Sequence, residues 1–287
     1  TESKSRKALV GGLKYSLSVK LNETDLKYTG TNIVEFDLKE TGKPLRLDFF
    51  EGQVTGLKIN DKDVPLTAKS KYAIALPPEF LKLGANKVVV DFTQDYSRQG
   101  VGLHRFQDPE TKEVFLYTDF EPYDANRFFP CFDQPDLRAS IALQVEAPAS
   151  WIVIANETET SVKTGADKRK TWIFFPNPPI TTYIYALHAG PYKVWKDEVQ
   201  GIPLRILSRP SMAKYVRAQE FFTYTKQGFK YFNSYFGVKY PFKKYDQIFV
   251  PEFNSGAMEN VAAVTFSENF LNRSTPTREQ RRGAAGT

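Results

Sequence analysis

Leu13, Tyr15, Leu17, Val19 and Leu21 alternate with Lys14, Ser16, Ser18 and Lys20. Only a strand with one buried face and one wet face satisfies a period of two. This period dominates up to about residue 200, with similar runs at 31–39, 45–50, 54–59, 86–92, 114–118, 139–146, 151–155, 171–175 and 181–188. Turn residues separate the runs, as at Gly42-Lys43-Pro44, Asn60-Asp61 and Asn177-Pro178-Pro179. Many short strands with frequent turns predict a mostly β sandwich or open saddle of sheets. Helical periodicity is nearly absent here, and there is no internal repeat or low-complexity segment.

The period then changes. Tyr215, Ala218, Phe222, Phe229, Phe232 and Phe236 recur at steps of three, four or seven, which predicts a helix over 210–236 whose aromatic stripe packs into a core. Ser208 or Ser211 is the expected N-cap and Gly237 the stop. Tyr245–Val250 reads as a strand, 251–256 as a turn and 262–266 as another strand. Thr275-Pro276 followed by Glu279 looks like a helix start with Pro at the first helical position. These signals divide the chain into an all-β domain over 1–200 and the beginning of an α+β domain over 201–287. The last helix barely completes two turns before residue 287, so continuation beyond it is expected.

The charge balance narrows the partners. The chain has 39 basic and 33 acidic residues, a net charge of +6, with the signs interleaved. The densest cationic runs, Lys168-Arg169-Lys170, Lys243-Lys244 and Arg281-Arg282, are short and not organised with stacking aromatics, which argues against nucleic acid as a partner. No apolar stretch reaches the ~20 residues that span a bilayer, so no membrane partner is expected. The single cysteine, Cys131, excludes an intrachain disulfide and suits a reducing, cytoplasmic compartment. A periplasmic or secreted location would require a signal removed before residue 1. Flanked by Phe129, Pro130 and Phe132, Cys131 reads as a buried small hydrophobe.

The chemistry is first defined by absences. The only histidines are His104 and His188, and neither has a partner four residues away, as H-E-x-x-H requires. Both read as structural residues rather than metal ligands. G-x-S-x-G and phosphate-cradling loops are also missing. Gly256-Ala257-Met258-Glu259-Asn260 is the informative stretch. Its small residues would let another backbone approach an edge strand, with Glu259 offering a carboxylate to a free ammonium group. Taken alone, the same five residues read first as a surface turn with a solvated Glu.

In context, the stretch resembles the exopeptidase motif of aminopeptidase N-like zinc metallopeptidases. It follows Tyr245–Val250, precedes Val264-Thr265-Phe266 and matches that motif at all five positions. Upstream, Thr118-Asp119-Phe120-Glu121-Pro122 and Phe129-Pro130-Cys131-Phe132-Asp133-Gln134-Pro135 are similar to two further family segments. So is 186–192, which resembles the strand closing the family's N-terminal domain. The resemblance covers the chain in order and implies the front of a thermolysin-like catalytic domain after the β domain.

The resemblance also implies roles. Glu259 and Glu121 would bind the α-amine of a peptide with a free N-terminus. Gly256 and Ala257 would offer backbone groups to the substrate, with Met258 and Asn260 completing the motif. The zinc ligands, general base and oxyanion Tyr of the family match nothing here and are expected beyond residue 287. Zinc is thus a cofactor of the full-length enzyme, and this chain alone is expected to be inactive. Asp119 replaces the family's usual Gln beside the first side-chain pocket, so a preference for Lys or Arg is expected. Pro122 stands where relatives often have Ala, and the Glu121–Pro122 bond is expected to be cis, the isomer that is inexpensive only before proline. The alternative from another class is a non-catalytic protein that binds peptide N-termini. A β-sandwich interaction module leaves the ordered segments unexplained.

Overall fold

The computed structural model describes residues 2–66, 69–165 and 167–286. Their strands form a layered stack. The outer layer is an eight-stranded sheet whose centre is Val10–Lys20, Lys27–Leu38 and Gly84–Asp95. Val10–Lys20 pairs in parallel with Ser140–Pro148, while its other neighbour is antiparallel. The alternation from Leu13 to Lys20 is realised as buried and exposed residues in strict turn.

The second layer has the order Ile152–Ala155, Leu187–Gly190, Val114–Asp119, Gly102–Gln107. Every residue of Val114–Asp119 is buried, because both faces of this sheet are covered. Val114 and Leu116 join the large core against the eight-stranded sheet. Phe115 and Tyr117 point the other way, into a cluster with Leu207, Ile248, Val250, Met258 and Ala263.

Those residues belong to the third layer, a five-stranded sheet ordered Lys193–Val199, Ile202–Ser208, Tyr245–Val250, Ala263–Ser267, Ala257–Met258. Its ladder begins at Lys193, a few residues before the change of period near 200. The far face of this sheet carries Ile206, Phe249 and Phe266, which pack with Phe222 and Phe229 of the long helix.

Several local expectations need correction. The segment 210–236 is not one helix. Pro210–Tyr215 is a 3-10 turn, and the α-helix runs from Ala218 to Phe236. Its N-cap is Arg217, without a side-chain capping bond, so neither Ser208 nor Ser211 caps it. Gly237 does stop it, at φ 64°. The run 181–188 is a 3-10 turn, Thr182–Ile184, followed by strand Leu187–Gly190. An N-terminal helix, Glu2–Leu9, had no clear periodic signal. In the last helix, Arg278–Gly286, Pro276 lies outside. Thr277 and Gln280 instead form a reciprocal capping box, each side chain accepting from the other's backbone N–H.

The aromatic stripe is only half a core stripe. Phe222 and Phe229 are buried, whereas Phe232 and Phe236 are 54% and 66% exposed. Phe232 stacks on Phe236, and Tyr231 stacks on Tyr235, so the last turns of the helix show an aromatic surface. Exposed aromatic area of this kind promotes association. Replacing Phe232 and Phe236 by Ser in the 287-residue chain is expected to weaken self-association at least roughly threefold in sedimentation. The unfolding free energy should change by only about 0.5 kcal/mol, because both rings are more than half exposed and their ring contacts, with each other and with Tyr231 and Tyr235, stay on the same exposed end of the helix.

Candidate functional site

Asp119 ends the strand buried on both faces, and alternation puts its side chain on the same face as Phe115 and Tyr117. That face meets the five-stranded sheet. The backbone N–H of Glu121 donates to the Asp119 carboxylate, but burial outweighs that bond, and with the nearby charges of Glu121 and Asp124 it pushes the Asp119 carboxyl up to about 6. Asp119 is 8% exposed, and no cation faces it among the described residues.

The chain then turns through a cis Glu121–Pro122 bond, as expected. The Phe129–Pro135 segment clamps this turn. Asp133 accepts from the backbone and side chain of Asn126 at 3.0 and 2.9 Å, and from Thr182 Oγ1 at 2.6 Å. Its own N–H donates to Asp48 at 3.0 Å, and Tyr123 also bonds Asp48. Arg6 from the N-terminal helix completes the set around Asp48. Cys131 is fully buried, and burial raises its thiol pKa well above the usual value, which fits a packing residue.

The other motif lies on the opposite side of the layer interface. Ala257–Met258 is the edge of the five-stranded sheet, pairing Ala257 with Phe266 and Met258 with Thr265. Ser267 N–H donates to the Gly256 carbonyl at 2.8 Å. Met258 and Asn260 are buried, whereas Glu259 between them is exposed. Asn260 Nδ2 donates to Thr265 Oγ1 at 3.1 Å. The following turn is fixed at each residue. Val261 N–H donates to the Ile184 carbonyl, and Asn156 Nδ2 donates to the Val261 carbonyl at 2.7 Å. The carbonyl of Ala262, at φ 59°, accepts from Asp246 N–H and from Lys244 Nζ at 2.8 Å.

A polar seam joins the two halves. Ile154, His188, Tyr117 and His104 form one row across the four-stranded sheet. Tyr117 donates its hydroxyl to the Glu252 carbonyl at 3.0 Å. His104 Nδ1 accepts from Gly100 N–H, which leaves Nε2 as the donor to the Glu252 carboxylate at 3.2 Å. His188 Nε2 lies 3.0 Å from Thr265 Oγ1. Burial, helped by the Lys244 charge, pushes the His188 pKa down to about 3, so the ring is neutral. The sequence marked both histidines as structural but gave no sign of the roles of Tyr117, Asn156 and Thr265, whose partners are remote in sequence.

The structure therefore brings Asp119 and Glu121 together on one anchored turn, and places Gly256, Glu259 and Asn260 around the anchored edge strand Ala257–Met258. Glu121 and Glu259 are both exposed, and no ion pair or side-chain hydrogen bond among the described residues engages either carboxylate. No group of three or more His, Cys, Asp or Glu side chains among the described residues could hold a metal ion. The two histidines are committed to Glu252 and Thr265. The described residues thus offer no ready zinc site. No helix is long and apolar enough to cross a membrane.

Comparison with known proteins adds to this geometry. Residues 12–184 match the family profile described as the Peptidase M1 N-terminal domain, and residues 221–285 match the Peptidase family M1 domain. The chain is 40% identical over 276 residues to Aminopeptidase N of Streptomyces lividans, covering 91% of this chain and 31% of that protein. It is 35% identical over 201 residues to Probable M1 family aminopeptidase 1 of Encephalitozoon cuniculi, covering 68% and 23%. It is 26% identical over 280 residues to Glutamyl aminopeptidase of Mus musculus, covering 91% and 29%. The chain thus spans about a third or less of the length of these relatives. The clamped turn lies inside one matched region and the edge strand inside the other, and the first region alone takes in more than half of the residues: the chain belongs to peptidase family M1.

Proposed function

We propose that this chain is the amine-recognising part of a zinc aminopeptidase that removes N-terminal residues from peptides. Its β domain, up to about residue 200, and the start of its catalytic domain would each contribute one carboxylate, Glu121 and Glu259, to grip the α-ammonium. The observation that carries the reading is the pair of exposed, unengaged carboxylates on two rigidly anchored segments that share one hydrogen-bonded seam. A charge-assisted grip of this kind is strong in a partly desolvated groove. It would also restrict cleavage to chain ends, because an internal peptide nitrogen carries no charge.

The edge strand supports an extended substrate. Ala257–Met258 pairs on one side only, leaving its other side for a peptide to join. A Cβ on Gly256 would meet nothing closer than the Phe270 ring at 3.7 Å, so packing within the chain does not require glycine there, whereas close approach by another backbone would. Asp119, buried without a cation, favours a Lys or Arg side chain beside it. Aminopeptidases of family M1 are generally zinc enzymes, and hydrolysis by water activated on such a metal is assigned to no residue of this chain.

The test is Glu121→Gln and Glu259→Gln in the protein at its natural length, assayed with aminoacyl arylamides. Each variant is expected to raise KM about tenfold or more, since hydrogen bonds to charged groups contribute roughly 1.5–3 kcal/mol. Wild-type KM in both variants would overturn the reading. The 287-residue chain on its own is expected to show no zinc-dependent turnover.

A further inference from the structure

His188 is a buried ring in the second layer whose polar contact is with the third. It sits opposite Tyr117, two residues from Asp119 along the same strand face. Its Nε2 reaches Thr265, the residue paired with Met258 on the edge strand. The Thr265 hydroxyl oxygen already accepts from Asn260 Nδ2, which leaves its own proton free to donate to Nε2. The result is a three-member chain, Asn260 to Thr265 to His188, with each bond polarising the next. It ends one residue from Glu259. His188, Thr265 and Asn260 are 0%, 0% and 2% exposed, so water cannot readily replace a missing member. The remaining ring nitrogen, Nδ1, is buried without a partner. A purely space-filling position has no need of a ring that leaves one nitrogen unsatisfied, since a leucine would fill the volume without that cost.

We infer that His188 is a positioning residue for Glu259, fixing the amine-binding end of the edge strand relative to the sheet that carries Asp119 and leads to Glu121. The inference rests on the amine-recognition reading above. His188 touches no substrate. It acts through Thr265 and Asn260, holding the backbone that aims the carboxylate.

The test measures the affinity of leucinamide and of its des-amino analogue, 4-methylpentanamide, by calorimetry on the protein at its natural length. In the wild type, leucinamide should bind at least tenfold more tightly. His188→Leu is expected to reduce that ratio by about fivefold or more, with kcat on leucyl arylamide changing less than KM. His188→Gln, whose amide oxygen returns an acceptor near the Nε2 position for the Thr265 hydroxyl, should recover most of the ratio. Thr265→Val cuts the chain at its middle with little change of shape and should reproduce the His188→Leu loss, so the test stands even if the leucine variant fails to fold. An unchanged ratio in folded His188→Leu or Thr265→Val overturns the positioning role. If Glu259→Gln also leaves the ratio unchanged, the amine-recognition reading itself has failed.

Discussion

Asp246→Asn is expected to destabilise the chain by about 3–5 kcal/mol, the usual cost of removing one partner from a buried ion pair. Asp246 is completely buried on the central strand of the five-stranded sheet. Arg205 donates to it in a fork at 2.7 and 2.6 Å, and Lys244 Nζ donates at 2.7 Å. Burial alone would raise the carboxyl's pKa, but the Lys244 charge and the Arg205 fork together hold it below the usual range. Lys244 is lowered by burial, with Arg205 adding to the effect. One carboxylate thus serves two cations, and its loss strands both. Lys244→Met should behave differently. It leaves the Arg205 fork intact and removes the surplus charge, while the Ala262 carbonyl keeps the Asp246 N–H. Its cost should stay below roughly 1.5 kcal/mol. Urea unfolding of both variants checks the contrast, and equal midpoints would refute the account. The depressed pKa also sets a pH signature. The carboxylate's contribution is present above the unfolded Asp value near 4 and is lost as pH falls through the lower folded value. The asparagine variant should lack that acid limb.

The division of labour between strands and helix was legible because it depends on periodicity. Half-buried strands such as Val10–Lys20 and Lys27–Leu38 declare themselves by alternation. The short strands Gly102–Gln107 and Ile202–Ser208 did not stand out, because consecutive buried residues, 102–105 in one and 206–208 in the other, break the alternation that marks a surface strand. The helix over 210–236 was read too long because Tyr215 sits in phase with the later aromatics, yet the backbone leaves helical geometry between Tyr215 and Ala218. Phase alone also could not tell Phe229, which packs under the sheet, from Phe232 and Phe236, which meet solvent. That difference depends on where the sheet ends. The motif residues were legible as a pattern, but their support was not. Asp133 holds the Glu121 turn through Asn126, seven residues away, whereas Asn156 reaches Val261 across 105 residues. Only the stacking of the second and third layers brings the latter pair together.

Asp119→Asn is expected to make the chain more stable by about 2–3 kcal/mol at pH 8. The folded carboxyl titrates near 6, against 3.8 for the ordinary group, and each unit of difference corresponds to about 1.4 kcal/mol. Between those two values the folded state binds the proton and the unfolded state does not. Wild-type stability from this group therefore falls as pH rises from about 4 to 6, and the full penalty persists above that. Asparagine keeps an oxygen to accept the Glu121 N–H but carries no charge, so its advantage should shrink as pH falls and vanish near pH 4. Thermal or urea unfolding at pH 4, 6 and 8 reads this directly, and a constant difference across the series would show that the buried charge is not the cause. A surface carboxylate would show no such gain. On the proposed function, a lysine or arginine side chain entering beside Asp119 would supply the missing partner and lower its pKa. The ratio of rates on Lys or Arg arylamides to that on Leu arylamide, measured at the natural length of the protein, should therefore drop in Asp119→Asn. In the wild type the same ratio should decline as pH is lowered through about 6, where protonation removes the charge that a basic residue would meet. An unchanged ratio in the asparagine variant would detach Asp119 from specificity and leave its burial without a functional account.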